Sequence, residues 1–335
     1  MSEGPDQAPG AAHPRDVFEF FGHDAAEDSI AEALGGTRMH HAWLIAGPKG
    51  LGKATLAYRF ARALLGAKRT GPRPLDVSAE DSVARKISAN THPDLFVLRR
   101  TAAERSDKFR RDIVVEDARA LGDFFSLMPA EGGWRVAIVD AVDDLNRNAA
   151  NALLKTLEEP PPRSVLLLVC HAPGATLPTI RSRCRRLTLR ALSDDLVGQA
   201  VQKATGSAVN PAVLKLAAGR PGRAIALQAG GASDIAVTIE DAMMRGGEQG
   251  AAALLSIAHE RGGPLAERLD LTIDVAQDWL HAQALIRAAE NKDGAALANA
   301  FFDLEDVRGQ AQGLNLDAAH ALARTAQILA RATGR

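Results

Sequence analysis

The chain has 335 residues, 46% hydrophobic and 24% charged, a composition that excludes disorder throughout and suits two or three domains. Its 40 Lys and Arg residues balance 41 Asp and Glu residues, which excludes a nucleic-acid binder that acts through bulk positive charge. Two cysteines exclude a disulfide framework and an all-cysteine zinc site, and the apolar runs fall far short of the ~18 residues that a membrane span needs.

The first 15 residues are rich in Gly, Pro, Ala and acidic residues. They lack the basic and then apolar pattern of a signal peptide. We therefore expect a flexible, soluble leader over residues 1–15.

The following part of the chain, to residue 189, alternates apolar runs with helical patterns. Strands are predicted over residues 41–46, 95–98, 113–115, 135–140, 164–170 and 186–189. Helices are predicted over residues 54–66 and 146–159, the second ended by three prolines, whereas residues 66–88 are expected to form a loop or a small insertion. This alternation predicts a parallel sheet covered by helices on both faces.

After residue 189 the chain shows helical patterns and almost no strand pattern. Ser193 is predicted to cap a helix, and long Ala-rich and Leu-rich helices are predicted over residues 265–289 and 316–332. Glycine pairs at 230–231 and 246–247 indicate a junction between helical parts. The C-terminal part is therefore predicted to be all-helical.

A glycine-rich turn follows the first predicted strand and precedes a helix, which is the context of a phosphate-binding P-loop. Its predicted nucleotide-binding residues are Gly47, Gly50, Gly52 and Lys53, through inward backbone N–H groups and the lysine charge. The residue after the lysine is alanine, not the Ser or Thr that holds magnesium, and Thr55 lies about 100° further round the helix. Magnesium-dependent hydrolysis is therefore not expected.

A second element of a nucleotide site is the apolar strand that ends at Asp140. A carboxylate at this place holds the metal in P-loop NTPases. Ala141 stands where a Glu usually polarises the attacking water, and Asp143 and Asp144 are more simply interpreted as a solvated loop. Because both Ala54 and Ala141 lack the catalytic group, the sequence argues against hydrolysis.

An arginine-rich segment, residues 179–186, follows the fifth predicted strand. An arginine such as Arg183 at a protein edge can stabilise charge on the nucleotide of a neighbouring protein. The segment alone is more simply interpreted as a plain basic surface loop.

Four stretches together resemble the bacterial clamp-loader subunits, AAA+ proteins that open the sliding clamp for DNA polymerase III. They are the P-loop with HHAWL before it, THPD at 91–94, NALLKTLEEPP at 151–161 and SRC at 182–184. The resemblance is firm over about residues 30–190. It implies a leader at 1–15, an α/β P-loop AAA+ domain with a RecA-like parallel sheet at 16–190, a helical lid at 191–245 and an all-α collar for oligomerisation at 246–335.

Within this group, the changes at positions 54 and 141 resemble the delta-prime branch, which has lost hydrolysis and keeps the Ser-Arg-Cys motif. The resemblance implies no intrinsic catalysis, within a holoenzyme that has DNA-directed DNA polymerase activity. It also implies that Arg183 is an arginine finger donated in trans to an adjacent gamma/tau ATP site. Ser182 and Cys184 would pack around it.

The resemblance further implies a degenerate nucleotide site, weak or unused. Thr55, Asp140 and Arg223, the last at the sensor-2 position, join the P-loop residues in it, although an ordinary surface arginine explains Arg223 equally well. No cofactor is required, weak ATP or ADP binding stays open, and no zinc is expected because residues 67–90 contain no cysteine.

The expected partners are the gamma/tau and delta subunits and, through the assembly, the sliding clamp and primer–template DNA, in the cytoplasm and without a membrane. Two other functions stay open. One is a gamma-like ATPase that uses Thr55 and Asp143. The other is a switch that binds ATP through Lys53 without cleaving it.

Overall fold

The chain divides into two compact units in a computed structural model. The residues that the model describes are 6–102, 109–131, 133–174, 176–229, 232–245, 247–256, 265–313 and 317–332. The first unit comprises Met1–Gly206 and Gly219–Arg223, and the second comprises Ser207–Ala218 and Ala224–Arg335. The predicted junction at 230–231, residue 246 of the second junction and residue 316 lie outside the described residues. The predicted boundaries at 15, 190 and 245 stay predictions.

A five-stranded sheet, entirely parallel, forms the centre of the first unit, with the strand order β2-β3-β4-β1-β5. The strands are β1 (Ala42–Ala46), β2 (Leu95–Arg99), β3 (Arg135–Asp140), β4 (Ser164–Cys170) and β5 (Arg185–Thr188). Ala46 lies opposite Cys170, and Asp140 lies opposite Val169. The carboxyl ends of β1, β4 and β3 therefore meet at one edge of the sheet.

The central strands are buried on both faces, as their unbroken apolarity predicts. Along β4, Val165 and Leu167 pack into one core cluster, whereas Leu166 and Leu168 pack into the other. This alternation follows from the two-residue period of a strand. The predicted parallel sheet with helices on both faces is confirmed.

Helices of the first unit cover this sheet. They are α1 (Asp24–Gly35), α2 (Lys53–Leu64), α3 (Ser82–Ser88), α4 (Val115–Ser126), α5 (Arg147–Glu158), α6 (Pro178–Arg181) and α7 (Asp194–Thr205). Apolar residues of α1 and α2 belong to one core cluster, and those of α4 and α5 belong to the other. Ser193 caps α7 through a hydrogen bond from the Leu196 amide, as predicted.

Two local predictions are wrong. Residues 113–115 do not form a strand: Ile113 pairs with Leu145 in an isolated bridge, and α4 begins at Val115. The reason is the acidic pair at 116–117, which stabilises a helix N-terminus and starts α4 at once. Residues 66–88 are not all loop, because the Asp81 carboxylate accepts hydrogen bonds from two backbone amides and thereby begins α3.

The second unit is helical, as predicted. Its helices are α8 (Pro211–Ala217), α10 (Ala232–Arg245), α11 (Gly247–Ser256), α12 (Leu265–Ala289), α13 (Ala295–Gly313) and α14 (Ala318–Ala332), while α9 (Pro221–Ala229) begins in the first unit. The bounds of α12 match the prediction. Among the described residues, no helix is both long and apolar enough to cross a membrane.

A buried ion pair links the first two helices. The Arg59 Nε atom of α2 lies 2.8 Å from the Glu27 Oε1 atom of α1, and each side chain is only 1% exposed. The Arg59 guanidinium also binds the Asp76 carboxylate and the backbone oxygen of Phe18. Arg59 therefore fixes the segment before α1 onto the helix that follows the P-loop.

We expect Glu27→Ala to lower the free energy of unfolding by about 3–5 kcal/mol, because it leaves a buried guanidinium without one of its carboxylates. Urea denaturation measures the change. The control is Asp241→Asn, which breaks the exposed pair of Asp241 with Arg245 and should cost at most about 1 kcal/mol. Equal losses for the two variants would contradict a special role for the buried pair.

Candidate nucleotide-binding edge and arginine site

The P-loop connects β1 to α2 at the sheet edge where strand ends converge. Gly50 and Gly52 have φ values of 89° and 83°, a left-handed conformation that a side chain would strain. Gly52 directly precedes α2, so the helix N-terminus faces the loop. The sequence-predicted turn therefore has the backbone form of a phosphate-binding loop.

The beginning of α9 packs on this loop. The Gly50 carbonyl oxygen accepts a hydrogen bond from the Gly222 amide at 2.8 Å. A Cβ atom on Gly50 would lie 2.8 Å from the Arg223 backbone nitrogen. The structure thus brings the backbone of Arg223, the predicted sensor-2 residue, against the P-loop.

Lys53 is turned into its own loop. Its Nζ atom donates a hydrogen bond to the Pro48 carbonyl oxygen at 2.7 Å, and the residue is 3% exposed. Burial lowers the pKa of Lys53 to about 8, although the nearby Asp140 and Asp143 carboxylates oppose the shift. The lysine therefore stays largely protonated at pH 7 while its charge contacts a protein carbonyl.

Asp140 ends β3 at the same edge. Burial and, to a smaller extent, the Asp6 carboxylate raise the pKa of Asp140 to about 7, although the Lys53 charge acts in the opposite direction. Asp6 lies in the predicted leader, where its 1% exposed side chain binds His13 at 3.0 Å and Arg99 at 2.5 Å. The charge of a second carboxylate, that of Asp6, therefore acts on Asp140.

The acidic residues after β3 are occupied by protein groups, so their interpretation as a solvated loop is wrong. The Asp143 carboxylate accepts hydrogen bonds from the backbone amides of His171 at 2.5 Å and Ala172 at 2.9 Å. The Asp144 carboxylate pairs with Arg100 at 3.2 Å. The cause lies in the sheet order, which places the end of β4 beside the end of β3.

Small residues occupy several other positions of this edge. Ala141 is 2% exposed and belongs to a core cluster. Ala54 and Thr55 are half-buried in the first turn of α2. Gly47 donates its amide hydrogen to the Cys170 carbonyl oxygen at 3.2 Å, which ties the loop to the end of β4. Among the described residues, no group of three or more His, Cys, Asp or Glu side chains is placed to hold a metal ion.

Arg183 follows α6 and contacts the end of α5. Its Nη2 atom lies 2.8 Å from the Glu158 Oε1 atom. Its Nη1 atom donates hydrogen bonds to the Thr179 carbonyl oxygen at 2.9 Å and the Ser182 Oγ atom at 3.4 Å. Burial raises the pKa of Cys184 to about 12, so its thiol stays protonated and packs as an apolar group against the core.

The sequence identified most of these residues but missed two carboxylates. Asp6 lies in a Gly-rich and Pro-rich leader, where no local pattern indicates burial. Glu158 lies within the LEEPP stretch, but its partner is 25 positions further along the chain, at Arg183. Only the packing of α5 against α6 brings the two together.

We expect Asp140→Asn to stabilise the protein at pH 8, because ionised Asp140 is buried there and asparagine stays neutral. In the folded protein the pKa of Asp140 is about 7, whereas the ordinary pKa of an aspartate is 3.8. The gain in the free energy of unfolding is therefore at most about 4 kcal/mol. In the wild type the destabilisation by Asp140 is absent below about pH 4 and grows as the pH rises from about 4 through 7. The difference between variant and wild type should therefore shrink toward pH 4.

Urea denaturation at several pH values between 4 and 8 measures that difference. Asp123→Asn, at an exposed carboxylate on α4, is the control and should leave the pH profile unchanged. A variant that is less stable than wild type at pH 8 would contradict the prediction, because Asp140 would then be stabilised as an anion by Lys53.

A sequence family described as DNA polymerase III, delta subunit, matches residues 22–193, just over half of the chain. The DNA polymerase III subunit delta' of Pseudomonas aeruginosa is 40% identical over 159 residues, which are 47% of this chain and 46% of that protein. The delta' subunit of Yersinia pestis is 38% identical over 147 residues, 44% of this chain and 41% of that protein.

The DNA polymerase III subunit tau of Escherichia coli is 35% identical over 179 residues, which are 53% of this chain and 26% of that protein. The chain thus spans less than half the length of these relatives. A solved structure of a DNA polymerase III gamma subunit-related protein from Thermotoga maritima has 16% identity and a TM-score of 0.46, and it covers 92% of this chain and 99% of that chain.

Proposed function

The chain belongs to the DNA polymerase III delta-subunit family, and from that premise we propose that it is a non-hydrolysing subunit of the polymerase III clamp loader. Its resemblance to the delta-prime branch is confirmed by 40% and 38% identity to two delta' subunits. In this role the chain joins gamma/tau and delta subunits in the cytoplasm and helps to load the sliding clamp on primer–template DNA.

One observation carries the proposed role in trans: the Arg183 guanidinium is held near the protein surface by an ion pair and a backbone hydrogen bond. Its side chain is 35% exposed and anchored by Glu158 and Thr179. A planar guanidinium presented in this way suits the γ-phosphate of a neighbouring protein's nucleotide. We therefore propose that Arg183 completes the ATP site of an adjacent gamma/tau subunit.

The contacts of the charged residues at the P-loop edge support the proposal that the chain does not hydrolyse ATP itself. Lys53 donates to Pro48, and the position after it is alanine. Burial raises the pKa of Asp140 to about 7, so about half of this carboxylate is protonated at pH 7. Asp143, the base that an active gamma-like ATPase would need, accepts two backbone hydrogen bonds instead.

An ATP-binding switch is the second candidate, favoured by the positive φ values of Gly50 and Gly52. A loop of this form provides inward amides for phosphate even where hydrolysis is lost. No zinc or other cofactor is needed for either role. The two candidates differ only in whether ATP binds to the isolated chain.

We expect Arg183→Ala to lower DNA-stimulated ATP hydrolysis by a loader reconstituted from this chain with gamma/tau and delta. An arginine finger contributes about 10³–10⁵ in rate at its own site in other phosphoryl-transfer systems, but only one of several ATP sites would lose it. The steady-state rate should therefore fall by at least the share of that site, roughly a third or more. The measurement is phosphate release at saturating ATP.

The control for this experiment is Arg186→Ala, at an exposed arginine three positions along the chain, which should leave the rate near that of the wild type. Assembly of each variant is checked by size-exclusion chromatography. If the Arg183→Ala loader forms normally and hydrolyses at the wild-type rate, the role in trans is wrong and only a scaffolding role is left.

We expect the isolated chain to release no phosphate from ATP. Equilibrium binding of labelled ATP then separates the two candidates: affinity that Lys53→Ala abolishes supports the switch, and no affinity supports a purely structural P-loop. Lys49→Ala, in the same loop, is the matched variant. Turnover by the isolated chain would overturn both candidates in favour of an active ATPase.

A further inference from the structure

The last residue of α5 forms the ion pair of the proposed finger. Glu158 ends α5, and its carboxylate lies 2.8 Å from the Arg183 guanidinium. Two features fix the place of this carboxylate. The Glu159 amide donates to the Lys155 carbonyl oxygen at 3.0 Å, which closes the helix, and three prolines from position 160 onward prevent its continuation.

Two further contacts hold the guanidinium from the other side. Its Nη1 atom donates to the Thr179 carbonyl oxygen and the Ser182 Oγ atom. The Ser182 hydroxyl in turn donates to the same Thr179 oxygen at 3.1 Å. Arg183 is therefore held between a backbone turn and a carboxylate, in one orientation.

The guanidinium keeps donors for another anion. Arginine has five N–H donors in a planar fork, and the contacts with Glu158, Thr179 and Ser182 engage only some of them. The Glu158 side chain is 50% exposed, so water screens the pair and the bond exchanges easily. A polyphosphate carries more charge than one carboxylate and competes well for the same fork.

We propose that Glu158 is a positioning residue that holds Arg183 in its outward orientation before a neighbouring nucleotide is engaged. The inference rests on the proposed function in trans of Arg183 and adds the residue that prepares it. A long arginine side chain loses much rotamer freedom when it binds a phosphate in one geometry. Because Glu158 already restricts the Arg183 side chain, less rotamer freedom is lost when the phosphate binds. Glu158 thereby assists hydrolysis without touching the nucleotide.

The test is Glu158→Gln in the reconstituted loader, because glutamine keeps the size of the side chain and removes its charge. We expect turnover at the site that Arg183 completes to fall about two- to fivefold, the effect of losing one surface ion pair. The ATP turnover number of the loader should therefore fall by less than in Arg183→Ala, with an unchanged KM for ATP. Glu159→Gln is the matched control, since the described part of the chain shows no ion pair for that neighbouring carboxylate.

The same change is then made in the Arg183→Ala background. A positioning residue has nothing left to position there, so Glu158→Gln should add no further loss. A residue that merely supports the fold would lower the rate in both backgrounds. A higher rate for Glu158→Gln alone would also overturn the proposal, because Glu158 would then compete with the nucleotide for Arg183.

These outcomes separate the inference from the function on which it rests. If Arg183→Ala has no effect, the function in trans fails. If Arg183→Ala slows hydrolysis and Glu158→Gln does not, only the positioning role fails.

A second readout uses the isolated chain and requires no activity. Arginine side-chain NMR detects the Arg183 guanidinium, and the Arg183→Ala variant identifies its resonance. Glu158→Gln should speed the rotation of this guanidinium, whereas Glu159→Gln should not. Equal rotation in all three proteins would contradict the proposed role of the pair.

Discussion

The register of three parallel strands is the constraint on which the nucleotide-binding edge depends. Ala46 of β1 lies opposite Cys170 of β4, and Asp140 of β3 lies opposite Val169. Because these strands run in one direction, the loop after β1, the end of β4 and the carboxylate after β3 meet at one edge. Each of the strands is buried on both faces, so packing on the core fixes where the strand ends lie.

At that edge, protein groups bind the charged side chains of the P-loop and of the segment after β3. Lys53 binds the Pro48 carbonyl oxygen, and Asp143 binds the backbone amides after β4. The negative charge of the Asp6 carboxylate raises the pKa of Asp140. The hydrogen bonds of Lys53 and Asp143 satisfy charged groups that would otherwise cost free energy. We therefore interpret the contacts at this edge primarily as contacts that stabilise the fold.

Helices and strands that are determined by neighbouring residues in the sequence could be predicted, whereas contacts between distant parts of the chain could not. The apolar run of β4 and the prolines after α5 are local patterns, and both predictions hold. The failed strand at 113–115 has apolar residues, but adjacent acidic residues favour a helix start. The THPD stretch also shows this limit: Asp94 accepts hydrogen bonds from the Ala130 and Glu131 amides, 36 and 37 positions away.

A residue that must act on another protein cannot be held as firmly as the core. If Arg183 were in a fully buried pair, like that of Arg59 with Glu27, releasing it would leave a buried charge and cost several kcal/mol. The half-exposed pair with Glu158 is of the kind that contributes about 0–1 kcal/mol, little enough for a phosphate to replace. The two arginine pairs of this chain thus differ in burial in the way that a structural pair and the proposed finger require: one fixes a helix, and the other would hold a side chain until a stronger anion replaces its partner.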